Sequence, residues 1–447
     1  MGAASSEPVA DLDLDGVEPW AADAKRAVRW ACNVGSWTPT DAEWAFLTAL
    51  LPSKECSRVE RFIRPMDKKR ALLSRLMQRR CVAHALGHSD AAVLIARTKG
   101  DKPYDATPRA SACAAAAPNF NFNVSHEGSW VVLASEPALL VGVDVSAPFH
   151  LRGGPTIASD FIQLRERFDS VLSPDEWEAI EAADGEAERV KGFRRQWSRK
   201  ESLVKARGDG LAFALAKARF YPCHSPRPPP SMPVDFVPEE SEAAAAPAAA
   251  PLLAPAAAPL LDGDGLAGSE LRGVGPPIFS LLHLDDDSWL GWTDEPSNVW
   301  RCCTHELTDG HIISVTRGSV GEVIDAHGAF IATLQRPHMP EGEFRARLAA
   351  PPPPLRELSV RDLVPPQMRD AYDAVVRGER PSMPAYTPAE PPEPPWREDE
   401  PPSAADPAKP PAWFNMQNAS GGQDEIDPIF GGSTRPRTST EEDCAIM

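Results

Sequence analysis

Glu201 and Lys205 are the side chains whose types and spacing most directly suggest chemistry, because they place an acid and a base one helical turn apart. They lie in residues 196–208, which contain good helix formers, no proline and a glycine at the C-terminal end. At this spacing both side chains share a helix face with Trp197. The same pair is also typical of a solvated helix surface, so the helix alone does not identify a site.

Asp144 is the second candidate, because it lies between Val143 and Val145 in residues 139–145, which read as a strand. An acid among valines is costly to bury unless something positive neutralises it. The sequence therefore predicts a positive partner next to Asp144.

Residues 54–109 carry a net positive charge, opposite in sign to the net charge of the whole chain. The whole sequence has a formal net charge of −18, which argues against nucleic acid or an anionic membrane surface as a general partner. In this stretch basic residues outnumber acidic ones, and two interpretations stay open: a solvated helix face, or a cradle for a small, highly charged anion. The basic residues include Arg58, Arg61, Arg64, Lys68, Lys69, Arg70, Arg75, Arg79, Arg80, Arg97, Lys99 and Lys102.

The elements that would position these side chains follow from periodicity and helix-capping signals. Residues 119–125 alternate polar and apolar side chains as a half-buried strand does, and 126–128 read as a turn. Residues 129–135 and 139–145 together indicate a hairpin. Ser53 and Ser173 are predicted N-caps of helices that run to about 87 and 183. Further helices are predicted over 39–51, 161–168 and 188–206, and further strands over 27–31, 92–97, 218–221, 279–284, 289–293, 299–305 and 312–316.

The order of these elements predicts an α+β protein with strands and helices in two successive halves. We expect an N-terminal subdomain over 27–150 and a C-terminal one over 151–320, interrupted by the low-complexity stretch 222–277. Residues 1–26 and most of the Pro-rich, acidic stretch 321–447 are predicted to be disordered, with 358–364 as a candidate docking segment. The sequence contains neither a GxGxxG nor a P-loop motif, which argues against the usual nucleotide-binding folds.

Four separated motifs carry the unusual residue types. They are Arg-Thr-x-x-x-Lys-Pro at 97–103, Pro-Asn-Phe-Asn-Phe-Asn-Val-Ser-His at 118–126, Val-Gly-Val-Asp at 141–144, and Trp-x-x-Lys-Glu-Ser-x-x-Lys-Ala at 197–206. In this order they resemble the larger, pseudo-dimeric class of 4′-phosphopantetheinyl transferases, above all its animal members. The resemblance covers about residues 28–221 and, more weakly, 278–318. It implies two similar α/β subdomains in a pseudo-two-fold arrangement, with coenzyme A and Mg²⁺ in the cleft between them.

The resemblance also implies a reaction. Members of this family move the phosphopantetheine arm of coenzyme A onto a serine of an apo acyl or peptidyl carrier protein and release 3′,5′-ADP. Asp144 and Glu201 would hold Mg²⁺ at the pyrophosphate, and Glu201 would act, directly or through water, as the base toward the carrier serine. Lys205 would stabilise or protonate the leaving phosphate. The phosphates would be held by Arg58, Arg97, Lys102 and His126, with Asn123 and Ser125 along the same edge.

Ser146 marks one departure, because some members of the family carry a third acid two residues after the aspartate. Here we expect water or substrate oxygens to complete the metal shell. Two rival readings stay open: a non-catalytic module that binds coenzyme A or a carrier, and an interaction scaffold. Asp144, Glu201 and Lys205 together argue against the first. Deleting residues 321–447 is expected to separate an enzyme from a scaffold, because an enzyme core would keep its activity.

Both ends of the sequence carry candidate lipidation motifs. Residues 1–6 fit N-myristoylation at Gly2, and residues 444–447 fit farnesylation of Cys444. Acidic residues occupy the place where a signal or transit peptide would need basic or apolar ones. We therefore expect a monomer of the cytosol, attached in part to membranes if either lipid is added.

Overall fold

The computed structural model describes residues 26–148, 158–208, 213–223, 268–284, 299–325 and 327–393. Its helices are α1 (Asp41–Thr48), α2 (Ser53–Glu60), α3 (Pro65–Leu86), α4 (Ser111–Ala116), α5 (Ala158–Arg167), α6 (Pro174–Glu181), α7 (Glu186–Arg207), α8 (Glu341–Ala349) and α9 (Arg369–Val376). Its strands are β1 (Arg29–Asn33), β2 (Ile95–Arg97), β3 (Pro103–Asp105), β4 (Asn121–Glu127), β5 (Trp130–Glu136), β6 (Leu140–Ser146), β7 (Ala218–Cys223), β8 (Ser269–Glu270), β9 (Ile278–Leu284), β10 (Trp300–Glu306), β11 (Ile312–Gly318) and β12 (Arg356–Glu357).

The strands form two five-stranded sheets and one small hairpin. The first sheet has the order β4-β5-β1-β12-β8, the second has the order β6-β11-β10-β9-β7, and β2 pairs with β3. Neighbouring strands are antiparallel except β1 and β12, which are parallel. Mixed helices and sheets confirm the predicted α+β class.

The two sheets pack face to face, with a long helix on each outer side. Alternate residues of β5 show this: Val131 and Leu133 join the core beneath α3, whereas Val132 and Ala134 join a core shared with β6 and β11. On the other side, α7 packs on β6 and β11 and contributes Leu203 to a third apolar cluster. The resulting order of layers is α3, first sheet, second sheet and α7.

The helices that frame the site begin and end at the residues that their sequences indicate. Ser173 caps α6 through a complete capping box with Glu176, as expected from the sequence. Helix α7 ends at Gly208, whose φ of 94° lies in the left-handed region that glycine adopts without strain. Trp197 packs on Phe193 and edge-on against Phe168, which fixes α7 to the segment after α5.

The predicted hairpin of residues 129–135 with 139–145 is wrong. β5 pairs with β4 on one side and with β1 on the other, so it has no free edge for β6. β6 instead pairs with β11 in the second sheet. The chain therefore passes from the first sheet to the second after β5. This passage comes before residue 150, where the predicted N-terminal subdomain ends.

Four local boundaries also differ from the predictions. The helical pattern over 54–87 is divided into α2 and α3, with Pro65 at the first turn of the second helix. Ser53 is the first residue of α2, and Pro52 occupies the cap position. His126 and Glu127 continue β4, so the turn comes at Gly128, and the strand expected over 92–97 is ordered as a strand only from Ile95.

The stretch expected to be mostly disordered after residue 320 carries helices and strands as far as Val376, and the structure describes it as far as residue 393. β12 extends the first sheet beside β1, and α9 packs on α1, where Tyr372 Oη donates to Glu43 Oε1 at 2.6 Å. Eight buried residues of this segment lie in the core beneath α3: Leu358, Val360, Leu363, Val364, Met368, Ala371, Tyr372 and Val375. The Pro-rich composition of this stretch concealed its apolar residues. Deleting residues 321–447 would remove part of the core, so this deletion would not separate an enzyme from a scaffold.

Several predictions concern residues outside the described ranges. These are the N-terminus 1–25, most of the low-complexity stretch 222–277, the strand at 289–293, and both lipidation motifs. Within the described ranges, no helix combines the length and the apolarity that crossing a bilayer requires.

Candidate active site

Gly142 determines how closely α7 approaches β6. A Cβ atom placed at this glycine would lie 1.9 Å from the carbonyl oxygen of Ser202 and 2.5 Å from the amide nitrogen of Ala206. The helix backbone therefore rests directly on the strand, which a larger residue would prevent. This contact places Glu201 and Lys205 of α7 beside Asp144, two residues further along the strand.

Asp144, Lys205 and Ser125 form a connected polar group. Lys205 Nζ lies 2.6 Å from Asp144 Oδ1 and donates to Ser125 Oγ at 2.9 Å. Ser125 Oγ in turn donates to Asp144 Oδ1 at 3.1 Å. Asp144 is 0 % exposed. The ammonium group of Lys205 is thus a positive partner of Asp144, whereas the resemblance implied Mg²⁺ in that role.

Glu201 and Glu127 add negative charge to this group. Burial raises the pKa of Glu201 to about 7; Lys205 opposes this shift, and the charges of Asp144 and Glu127 add to it. Burial likewise raises the pKa of Glu127 to about 7, and its Oε2 accepts from the amide of Ala147 at 2.8 Å. Although burial opposes it, Asp144 and Glu201 raise the pKa of Lys205 above its ordinary value, so the lysine is charged.

The carboxylates fit a hard divalent cation. Asp144 Oδ2 and both carboxylate oxygens of Glu201 are buried without a hydrogen-bond partner among the described residues. Buried anionic oxygens left in this way favour a metal ion, and Mg²⁺ binds through one or two carboxylates together with water and substrate oxygens. The described residues contain no group of three or more His, Cys, Asp or Glu side chains placed to hold a metal.

A polar cavity opens beside Lys205, Ser125 and His126, and its far side is formed by Arg75 and Arg97. Glu55 of α2 holds these arginines: Arg75 Nε donates to its Oε2 at 2.5 Å, and Arg97 Nε lies 3.8 Å from its Oε1. Although burial opposes it, Arg97, Arg75 and Arg58 hold the pKa of Glu55 below its usual value. Asp101, which also lines the cavity, lies 3.3 Å from Arg97. Three guanidinium groups against these two carboxylates leave a net positive charge beside the cavity, which suits phosphate groups.

His126 lies in the same cavity wall. Burial, together with the nearby charges of Arg70 and Lys205, lowers its pKa to about 4. The imidazole is therefore neutral near pH 7 in the protein alone. A neutral imidazole offers one hydrogen-bond donor and one acceptor to a ligand.

Four predicted site residues lie together, with Arg97, Ser125, His126 and Lys205 all lining the cavity. Asp144 lies behind this wall through its bonds to Ser125 and Lys205, and Glu201 is one turn before Lys205 on α7.

Lys102, Asn123 and Arg58 lie differently from the prediction. Lys102 Nζ donates to the carbonyl of Ala206 at 2.6 Å, because a buried ammonium group suits the carbonyls at the end of a helix. Asn123 Oδ1 accepts from the amide of Val143 at 2.9 Å, and Arg58 contacts Glu55 at 3.4 Å. These residues surround the cavity, but they are not part of its wall.

Ser146, at the position where some family members carry a third acid, is bound by an arginine of α7. Arg194 donates to its Oγ at 3.2 Å and to its carbonyl at 2.7 Å.

The sequence-based reasoning missed Glu127 and Glu55, and it named Arg75 only as one of many basic residues in 54–109. Glu127 directly follows the motif at 118–126 and continues its period of two, which is the signal that would have found it. Arg75 and Glu55 belong to separate helices, and only tertiary structure brings them together.

Comparison with known proteins identifies the class. A family model described as "4'-phosphopantetheinyl transferase, N-terminal" matches residues 35–138, and one described as "4'-phosphopantetheinyl transferase superfamily" matches residues 140–245. The two matches meet where the chain passes from β5 in the first sheet to β6 in the second. The chain belongs to the 4′-phosphopantetheinyl transferase superfamily.

Among individual relatives, the chain is similar to the L-aminoadipate-semialdehyde dehydrogenase-phosphopantetheinyl transferase of Rattus norvegicus, with 37% identity over 194 residues, or 43% of this chain and 60% of the relative. It is 37% identical over 195 residues to the phosphopantetheinyl transferase of Thraustochytrium sp., covering 43% of this chain and 64% of the relative. The Schizosaccharomyces pombe protein of the same name as the rat enzyme is 31% identical over 188 residues, covering 39% of this chain and 67% of that relative. The matched region thus spans about 60% of the length of the rat relative.

Proposed function

We propose that this protein transfers the 4′-phosphopantetheine arm of coenzyme A to a serine of an apo acyl or peptidyl carrier protein and releases 3′,5′-ADP. The observation that carries the proposal is the pair of buried carboxylates, Asp144 and Glu201, with three unpartnered oxygens next to Lys205 and a positively charged cavity. Membership of the superfamily and the motif residues support the same reading.

The reaction needs a base, a cation and a positively charged group that binds the leaving phosphate. Glu201 would accept the hydroxyl proton of the carrier serine as its oxygen forms the new bond to phosphorus. Lys205 would bind the phosphate of 3′,5′-ADP as the old phosphorus–oxygen bond breaks. Mg²⁺ held by Asp144 and Glu201 would neutralise charge on the pyrophosphate oxygens.

Arg97 and His126 would bind the phosphates of coenzyme A from the cavity wall, together with Arg75. Arg58 would add to the positive field through its place beside Glu55. Lys102 would support the end of α7 and would not contact phosphate, because its ammonium group already donates to Ala206.

The partners would be carrier domains of fatty acid, polyketide or peptide synthases, or of an aminoadipate reductase type. The last class is suggested by the name of the rat relative. We further propose that the two subdomains are related by a pseudo-two-fold axis, consistent with two five-stranded sheets that each carry a 22-residue helix. A cytosolic monomer, with lipid attachment at Gly2 or Cys444, completes the proposal.

The decisive experiment incubates the purified full chain with coenzyme A, Mg²⁺ and an apo carrier, and follows the carrier by mass spectrometry. We expect the serine of the carrier to gain the mass of phosphopantetheine. Glu201→Gln and Asp144→Ala should each lower the rate on the order of 10²-fold or more. Glu188→Gln, an exposed glutamate on the same helix, should leave the rate unchanged. If either site variant transfers as fast as the parent, the assignment of the site is wrong.

A further inference from the structure

The two sheets meet along β4 and β6, each of which stands at the end of its own sheet. The edge of a sheet presents backbone N–H groups that need partners, and a buried edge cannot obtain them from water. β6 is buried along its whole length. Its N–H groups on the side away from β11 must therefore find acceptors at the junction with β4.

Side chains of β4 supply these acceptors in a regular series. Alternate residues of β4 each accept a hydrogen bond from a backbone N–H exactly twenty residues further along, at 3.0, 2.9, 3.3 and 2.8 Å. We call this series the β4–β6 ladder. Its rungs are Asn121 to Val141, Asn123 to Val143, Ser125 to Val145 and Glu127 to Ala147.

The ladder fixes the register between the two sheets. The constant separation of twenty residues means that β4 and β6 run parallel and in step. The side-chain amide of Asn121 also donates through Nδ2 to the carbonyl of Leu139 at 2.7 Å. It thus both accepts from and donates to the backbone around β6, as a peptide group of a neighbouring strand would. Side chains on one face of a strand recur every two residues. A shift of β4 by one residue relative to β6 would therefore turn the accepting side chains to the other face of β4.

The register matters because one rung belongs to the candidate active site. Ser125 Oγ accepts from Val145 and also bonds to Asp144 Oδ1 and Lys205 Nζ. Asn123 holds Val143, the residue directly before Asp144, and its side chain is nearly buried. The backbone on either side of Asp144 is thus bound by two consecutive rungs.

We propose that Asn123 is a positioning residue, which holds Asp144 in the orientation that binds the divalent cation, and that it is not a contact for coenzyme A. This proposal rests on the proposed function for its metal and its substrate. Asn123 acts through the amide of Val143. Partners that orient a metal ligand in this way commonly change metal affinity or activity by about 10- to 100-fold when they are removed.

The test measures Mn²⁺ binding by electron paramagnetic resonance in the presence of coenzyme A, using the full chain. Asn123→Ala should weaken Mn²⁺ binding about tenfold or more. In the transfer assay it should lower kcat while KM for coenzyme A changes by less than about twofold, because the cavity wall is intact. Asn121→Ala is the matched control: it breaks the neighbouring rung, whose amide belongs to Val141, and should lower thermal stability but leave Mn²⁺ binding unchanged.

Four results would overturn the proposal. They are Mn²⁺ binding by Asn123→Ala equal to that of the parent, a raised KM for coenzyme A with an unchanged kcat, equal weakening by Asn121→Ala, or no Mn²⁺ binding by the parent. If Asn123→Ala does not fold, Asn123→Ser provides the same comparison with a shorter acceptor. Mn²⁺ binding does not require turnover, so a parent that binds Mn²⁺ but transfers nothing would refute the proposed function and leave the role of Asn123 standing.

Discussion

Lys205 Nζ lies 2.6 Å from Asp144 Oδ1, and this contact joins the long helix α7 to the edge strand β6. Lys205 thereby provides Asp144 with a positive partner in the protein alone, before a metal ion or substrate is considered. A divalent cation at Asp144 and Glu201 would share this carboxylate with the lysine or displace it toward the cavity. The lysine and the proposed cation would thus each neutralise the same buried acid.

Lys205→Met tests this relationship, because methionine keeps an unbranched stem and removes the charge. Without metal, Asp144 is left buried beside no ammonium group, so the variant should be less stable than the parent in EDTA. Mg²⁺ should then raise the Tm of Lys205→Met more than that of the parent. The rate of carrier modification should fall about tenfold or more, because the leaving phosphate loses its cation.

Lys191→Met is the control for this comparison. Lys191 lies on the same helix and pairs with Glu306 at 2.7 Å, but it is partly exposed, so its loss should have a small effect. Equal Mg²⁺-dependent rises in Tm for parent and Lys205→Met would show that the lysine and the metal do not compete for Asp144.

Glu201 gives the stability of the metal-free protein a pH dependence of known sign. Its pKa is raised from 4.5 to about 7 on folding, so the folded state holds this proton more tightly than the unfolded chain. The resulting stabilisation is fully present below pH 4.5 and is lost as the pH rises through about 7. In EDTA, the parent should therefore lose more Tm than Glu201→Gln between about pH 6 and pH 8.

Comparing two proteins isolates Glu201 from other groups. The pKa of His126 is lowered to about 4 by burial, and its contribution to stability runs in the opposite sense below its unfolded pKa of 6.5. That contribution is common to parent and variant, so it cancels in the difference. Differential scanning calorimetry provides the measurement, and identical pH slopes in both proteins would contradict the raised pKa of Glu201.

Gly142→Ala should displace α7 from β6. The added Cβ would lie 1.9 Å from the carbonyl of Ser202, so the helix must move or the strand must bend. We expect a loss of about 1–3 kcal/mol in the free energy of unfolding, together with reduced activity, since Glu201 and Lys205 move with the helix. Urea denaturation measures the first effect. Gly342→Ala is the control, because nothing lies within 4 Å of its Cβ position. A stable, fully active Gly142→Ala would show that the close approach is not required.

The C-terminal segment 355–378 should be required for folding of the N-terminal part of the chain. Ending the chain after residue 350 removes Leu358, Leu363 and Tyr372 from the core beneath α3, so this truncation should be insoluble or melt far below the parent. Ending it after residue 393 keeps every described contact and should preserve the Tm. Circular dichroism melting curves distinguish the two, and equal melting of both truncated proteins would refute the role of this segment.

Much of the site followed from the sequence, because its residues lie in short motifs whose spacing is set by helices and strands. The helical spacing of Glu201 and Lys205, the valines around Asp144 and the alternation at 119–125 each predicted a local structure that the fold confirms. Period-two alternation also indicated that Asn121, Asn123 and Ser125 share one face. These are properties of the backbone over a few residues, and local chemistry determines them.

Tertiary structure alone decided which strands pair and which charges meet. β6 does not form the expected hairpin because β5 already pairs on both edges. Its partner is β11, whose residues lie 166 to 178 positions further along the chain. Glu55, Arg75 and Arg97 meet from three separate elements, and residues 355–378 return to complete the first core despite their Pro-rich surroundings. Long-range pairing depends on which buried surfaces and hydrogen-bonding edges remain free once the other elements have packed, and no local pattern of residue types records it.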